Sequence, residues 1–416
     1  MAGAKSKKRI LVVSQYFWPE SFRVNELVLE LKDRGYHVEV LTGVPNYPTG
    51  RVFPDFASNP DRYADYFGIK VHRVPQISRR NNKLSLALNY CSFVVTACFY
   101  SLFKLRKVEF DLIFGVQLSP IFSMLPAILC KNLMKRPLHM WVLDIWPDSV
   151  VGAGIRSGFI ISFLRKVCIL IYSSADILLL SSNGFKFKLT ELGVVGPKLL
   201  YFPQWIEADY LDELRLGSSE DAEVRNLMAR WESKVIFTFA GNVGEAQDFP
   251  SILQGLKKCC HLKDVVFLVI GDGRYKGELI KAIQNHGLTS TVFCLGQYPR
   301  HYMPFFYHYS DYLVVALSDA AIFAYTLPGK VQSYMSAGKP ILGMVNGETA
   351  QVINEVGCGY VVASGDHDGF ADIISLCCSL DSTERYKLGS LGKRYACENF
   401  RLGPLVDKAE ENFSSL

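Results

Sequence analysis

The chain has 416 residues, of which 49% are hydrophobic and 20% charged, with a formal net charge of +5 and a mean hydropathy of +0.14. One hydrophobic core stops growing at about 250–300 residues, so two domains are expected, and neither the charge nor the hydropathy suits a nucleic-acid binder or a multi-span membrane protein. The eleven cysteines show no repeated CxxC spacing, and the pairs Cys259–Cys260 and Cys377–Cys378 fall in helix-like stretches. Such thiols behave as small apolar residues in a reducing, cytoplasmic compartment.

In chain order, the basic residues Lys5, Lys7, Lys8 and Arg9 run straight into the strand-like I-L-V-V-S at 10–14, with no long apolar leader or cleavage site. Further β-branched runs predict strands at 37–42, 69–74, 111–115, 138–143, 176–181 and 198–202. Between them, 84–105, 119–133 and 158–172 read as helices, and the alternation predicts an α/β parallel sheet covered on both faces. The pattern restarts with a strand at 235–240, a helix over 249–260 and a strand at 266–270. Two Rossmann-like halves are therefore expected, 1–205 and 206–416, with an amphipathic helix from about 383 that can cross back to the first.

Residues 84–105 are long enough to cross about 30 Å of hydrocarbon. They also contain Asn89 and several hydroxyls, and they precede a Rossmann-type strand. The flanks Arg79, Arg80, Lys83 and Lys104, Arg106, Lys107 fit a buried or interfacial helix anchored at its ends rather than a span.

Doubly wound sheets bind ligands beyond the carboxyl ends of their strands, which directs attention to the loops there. The first loop carries Tyr16, Trp18, Pro19, Glu20, Arg23 and Asn25, and a second, 43–50, carries Asn46 and Tyr47; both are read as an acceptor-side wall. The segment W-V-L-D-I-W-P-D-S at 141–149 places Asp144 just past a strand, where a carboxylate can orient or deprotonate a hydroxyl, while Asp148 suits a helix cap equally well. In the second half, Gly241, Asn242, Gly244 and Gln247 follow a strand and open a helix, and Gly271 repeats the turn one strand later. Such turns suit phosphate oxygens, although plain tight turns would look the same.

Pro328, Gly329, Lys330, Val331 and Ser333 begin another helix, with a cation at its amide-rich end that can hold a diphosphate. Glu348 adds a carboxylate suited either to a sugar hydroxyl or to a helix cap. No H-E-x-x-H, G-x-S-x-G or D-x-D cluster stands out, so neither a metal nor a cofactor is expected.

Taken together, Y-F-W-P-E (16–20), V-P-N-Y-P-T-G (44–50), W-V-L-D-I-W-P-D-S (141–149), A-G-N-V-G-E-A-Q (240–247) and P-G-K-V-Q-S-Y-M-S-A-G-K-P (328–340) resemble the retaining glycosyltransferases of family 4. Within that family they look like the L-fucosamine transferases of bacterial surface polysaccharides. The resemblance implies a GT-B fold, two Rossmann-like domains facing across a cleft. It further implies a UDP-sugar donor, N-acetyl-L-fucosamine or a related amino sugar, and an undecaprenyl-diphosphate-linked acceptor. The expected workplace is the cytoplasmic surface of the inner membrane, with no nucleic acid involved.

The chain departs from the family where two glutamates are usual, reading Tyr325 and Ser333. It departs again where the donor's Arg and Lys are usual, reading Asn242 and Gln247, and where a His is usual, reading Leu143. A UDP-sugar 2-epimerase of the same fold, or a non-catalytic sugar-nucleotide-binding subunit, are the alternatives.

Overall fold

The computed structural model describes residues 8–47, 50–79, 83–149, 157–210, 214–259, 261–262 and 264–413. The basic residues Lys5, Lys7 and Arg80, and Cys260, lie outside these. The chain divides into two compact units, 1–203 with 402–416, and 204–401.

The first unit is built on strands β1 (Arg9–Val13), β2 (His37–Gly43), β3 (Asp65–Tyr66), β4 (Ile69–Val74), β5 (Leu112–Gln117), β6 (Leu138–Val142), β7 (Ile177–Leu180) and β8 (Lys198–Tyr201). They form one sheet in the order β3-β4-β2-β1-β5-β6-β7-β8, parallel throughout except for the β3–β4 pair. Its helices are α1 (Val24–Asp33), α2 (Pro54–Ser58), α3 (Lys83–Phe103), α4 (Leu125–Met134), α5 (Gly158–Ser173) and α6 (Gly184–Leu192). The expected helix at 119–133 appears as a 3-10 turn, Ile121–Met124, followed by α4. Pro120 and Pro126 account for the break, since each lacks the N–H that a continuous helix would use.

The second unit contains α7 (Ser219–Met228), β9 (Val235–Ala240), α8 (Phe249–Lys258), β10 (Val265–Ile270), α9 (Lys276–Asn285), β11 (Val292–Gly296), α10 (Met303–His308), β12 (Tyr312–Ala316), α11 (Gly329–Ser336), β13 (Ile341–Met344), α12 (Gly347–Val356), β14 (Gly359–Val362), α13 (His367–Ser379) and α14 (Ser382–Asn399). Its six-stranded sheet has the order β11-β10-β9-β12-β13-β14, every pair parallel. Side chains alternate across a strand, so β9 feeds two cores. Phe237 and Phe239 pack with Leu253 of α8 and Phe370 of α13, whereas Ile236 and Ala240 pack with Val331 and Tyr334 of α11.

The chain then returns to the first unit as α15 (Leu402–Glu410). There Arg34 pairs with Glu410 at 2.9 Å, Lys8 donates to the Phe413 carbonyl at 2.5 Å, and Lys198 donates to Asn412 at 2.7 Å. Residues 402–413 thus complete the first unit rather than extend the second.

Candidate functional site

In the second unit, three elements meet at Lys330. The turns after β9 and β10 lie back to back, the Gly241 N–H donating to the Ile270 carbonyl and the Val243 N–H to the Asp272 carbonyl, both at 2.9 Å. A Cβ on Gly271 would sit 1.8 Å from the Gly241 carbonyl oxygen, and the φ values of +132° at Gly241 and +148° at Gly271 are ones L side chains rarely adopt. Gln247 closes the first turn, its Oε1 accepting the Gly244 N–H at 3.0 Å and the Asn242 amide at 3.4 Å.

The third element is the start of α11. Tyr334, fully buried, locks this helix to the end of β9, its hydroxyl accepting from the Ala240 N–H at 2.9 Å and donating to the Ala240 carbonyl at 3.1 Å. Lys330, in the first turn, consequently reaches the glycine turns: its Nζ lies 3.8 Å from the Phe239 ring centre and 3.2 Å from where a Cβ on Gly241 would be. The stem of Lys330 is partly accessible, but its ammonium is enclosed and has no hydrogen-bond partner. Burial alone pulls its pKa down to about 7. The ring face beneath it offers a weak cation–π contact and no counter-charge.

The remaining predicted residues of this unit separate. Pro328 precedes the helix at its N-cap, Gly329 opens it, and Val331 is buried in the core. Ser333 lies one turn further in and donates to Glu207 at 2.8 Å, so a carboxylate stands beside a position where the sequence itself supplies only a hydroxyl. Glu207 was invisible to motif reading because it lies 126 residues away. Glu348 is buried in the first turn of α12 and lies within electrostatic reach of Tyr395 on α14.

In the first unit the two predicted loops are knitted together. Glu20, 2% exposed, accepts the backbone N–H groups of Tyr47 at 2.7 Å, Asn46 at 2.8 Å and Phe17 at 3.2 Å. Burial pushes its carboxyl up to about 7 against those three donors. Arg73 donates to the carbonyls of Trp18 and Gly43. Asn25 turns inward, accepting from the Trp18 N–H at 3.1 Å and donating to the Glu20 carbonyl at 2.7 Å. Arg23 occupies the N-cap position of α1 without a side-chain capping bond, and the peptide bond before Pro19 is cis. Tyr16 and Tyr47 pack 5.5 Å apart, while Asn46 is wholly buried.

Asp144 lies beyond β6, and burial raises its pKa above the usual aspartate value. One of its oxygens accepts from Ser149 and the other from the Trp146 indole at 3.2 Å. Asp148 pairs with Lys188 at 3.2 Å. Two residues that motif reading left out of the site, Arg79 and Tyr90, are drawn to it: Tyr90 lies within electrostatic reach of both Arg79 and Asp144. Among the described residues no group of three or more His, Cys, Asp or Glu side chains is placed to hold a metal ion.

Residues 223–393 match the family model described as Glycosyl transferases group 1. A putative colanic acid biosynthesis glycosyl transferase, WcaI of Escherichia coli (strain K12), is 26% identical over 301 residues, 68% of this chain and 71% of that protein. Among solved structures, Anabaena HepE in complex with UDP and glucose matches with a TM-score of 0.72 at 16% identity, covering 98% of this chain and 100% of that one. Sucrose-phosphate synthase from Thermosynechococcus elongatus matches at 0.76 and 14% identity, covering 98% and 99%. At such identities the likeness is one of fold. The chain thus has a GT-B fold with a stretch similar to glycosyl transferases group 1, and these findings support a GT-B glycosyltransferase.

Proposed function

We propose that this chain is a retaining, metal-independent glycosyltransferase of family 4, moving a sugar from a UDP-sugar to a polyprenyl-diphosphate-linked acceptor in bacterial surface polysaccharide assembly, as in O-antigen or capsule. The second unit takes the donor and the first the acceptor. The observation that carries this reading is the enclosed, unpartnered ammonium of Lys330 at the amide end of α11. A buried cation without a partner costs stability, and an incoming diphosphate removes that cost while accepting from the helix amides. Lys330 thereby stands in for the cations that Asn242 and Gln247 do not provide.

The UDP bound by HepE and the place of WcaI in colanic acid biosynthesis support the donor class and the pathway. The five sequence motifs support N-acetyl-L-fucosamine or a related amino sugar. On this reading the protein mainly stabilises the departing diphosphate and positions the acceptor alcohol, with Asp144 orienting or deprotonating that alcohol. Its workplace is the cytoplasmic surface of the inner membrane. The segment 84–107, made of α3 and the 3-10 turn after it, is long and apolar enough to cross a bilayer, with a mean hydropathy of 1.6. It is assigned to the interface because Asn89, Phe93, Ala97 and Ser101 bury its other side.

Calorimetric titration with UDP tests the carrying observation. Lys330→Ala should weaken binding by about 10- to 100-fold, the worth of a hydrogen bond to a charged group; unchanged affinity would refute it. Release of free sugar from the donor alone, without acceptor, would instead favour the epimerase.

A further inference from the structure

Helix α3 joins two chemistries. On its inner side, Tyr90 lies within electrostatic reach of Arg79 and Asp144, and Arg79 stands 5.4 Å over the Tyr47 ring. The Tyr16 hydroxyl, on a side chain only 4% exposed, lies within reach of the same guanidinium and of the Tyr90 hydroxyl. No carboxylate pairs with Arg79 among the described residues. On its outer side, Leu84, Leu88, Val95, Phe99 and Phe103 are 45–71% exposed. Their spacing of i, i+4, i+11, i+15 and i+19 keeps them within one stripe of a 3.6-residue helix. Isolated exposed apolar residues are ordinary, but a continuous stripe along a 21-residue helix is not.

We propose that Arg79, with the hydroxyls of Tyr16 and Tyr90, binds the diphosphate of a lipid-borne acceptor whose hydrocarbon chain lies along the α3 stripe. Arg79 lies five residues before Leu84, where the stripe begins, and within reach of Tyr90, which in turn reaches Asp144. A sugar held at Asp144, a diphosphate at Arg79 and a chain along α3 thus follow the order in which those parts are joined in such a molecule. A guanidinium offers several donors to phosphate oxygens, and the two tyrosine hydroxyls beside it can donate as well. This proposal rests on the glycosyltransferase reading for the identity of the acceptor, not for the geometry of the subsite.

The test measures binding of three probes to the purified full-length chain: undecaprenyl diphosphate in detergent, undecaprenol in the same detergent, and phosphatidylglycerol vesicles. Arg79→Ala should weaken undecaprenyl diphosphate by about tenfold and leave undecaprenol unaffected, with Arg79→Lys intermediate. The double variant Leu88→Ser with Phe99→Ser should weaken both isoprenoid probes. An Arg79→Ala loss on vesicles as large as that on undecaprenyl diphosphate would replace the subsite with general attraction to anionic membranes, and no loss on any probe would overturn it. UDP titration of the same variants should match the parent chain. Failure of the parent to bind UDP would sink the donor reading while leaving the lipid result standing.

Discussion

The two units carry their candidate sites in opposite electrostatic conditions. Around Asp144 and Glu20 every carboxylate is answered: Ser149 and Trp146 donate to the former, and three backbone amides donate to the latter. At Lys330 the charge is buried and nothing answers it. The first arrangement can hold its shape in the free protein, whereas on the proposed reading the second waits for an anion. Pre-organisation thus belongs to the side read as acceptor-binding, and ligand dependence to the side read as donor-binding.

Breaking the answered side should have the largest effect on rate. Asp144→Asn retains the acceptor oxygen toward Ser149 or Trp146 but cannot take a proton, and it is expected to lower kcat by about 10²- to 10³-fold with little change in Tm. A steady-state assay with a lipid-linked acceptor checks this, and near-normal kcat would remove Asp144 from the chemistry.

A smaller effect, on stability, tests the scaffold of the unanswered side. Gly271→Ala places a Cβ against the Gly241 carbonyl at a backbone angle alanine disfavours, and should cost about 2–5 kcal/mol in denaturant melts. A loss below 1 kcal/mol would mean that the two turns are not in contact.

A third effect sharpens the contrast itself. The folded protein holds Lys330 at about 7 against an ordinary 10.5, so between these values the unfolded chain binds a proton that the folded chain does not. By linkage, stability should rise as pH climbs through that window. Lys330→Met lacks this slope, so it should melt above the parent near pH 7 and converge with it toward pH 10. Parallel melting curves across that range would show that the ammonium is not enclosed.

Much of the fold was legible because strand cores such as 235–240 and 266–270 are short apolar runs, and burial on both faces demands that pattern. The two-residue β3 escaped because Asp65–Tyr66 is too short to show any period. Of the site, the glycine turns and Lys330 could be read locally, since turn and helix-start chemistry is written within a few residues. That Lys330 lacks a counter-ion could not be read, because it depends on what surrounds the residue in space. Glu207 beside Ser333, and Arg79 with Tyr90 near Asp144, eluded the motifs for the same reason: each partnership is made by packing and carries no spacing signal.

The return of α15 to the first sheet makes that unit discontinuous, with all of 204–401 inserted between its parts. During synthesis the inserted unit has its whole sequence available before the helix that carries Asp407 and Glu410 to Arg34 has been made. The half of the molecule that is begun first is therefore finished last, and until then the side of α1 that carries Arg34 lacks its cover.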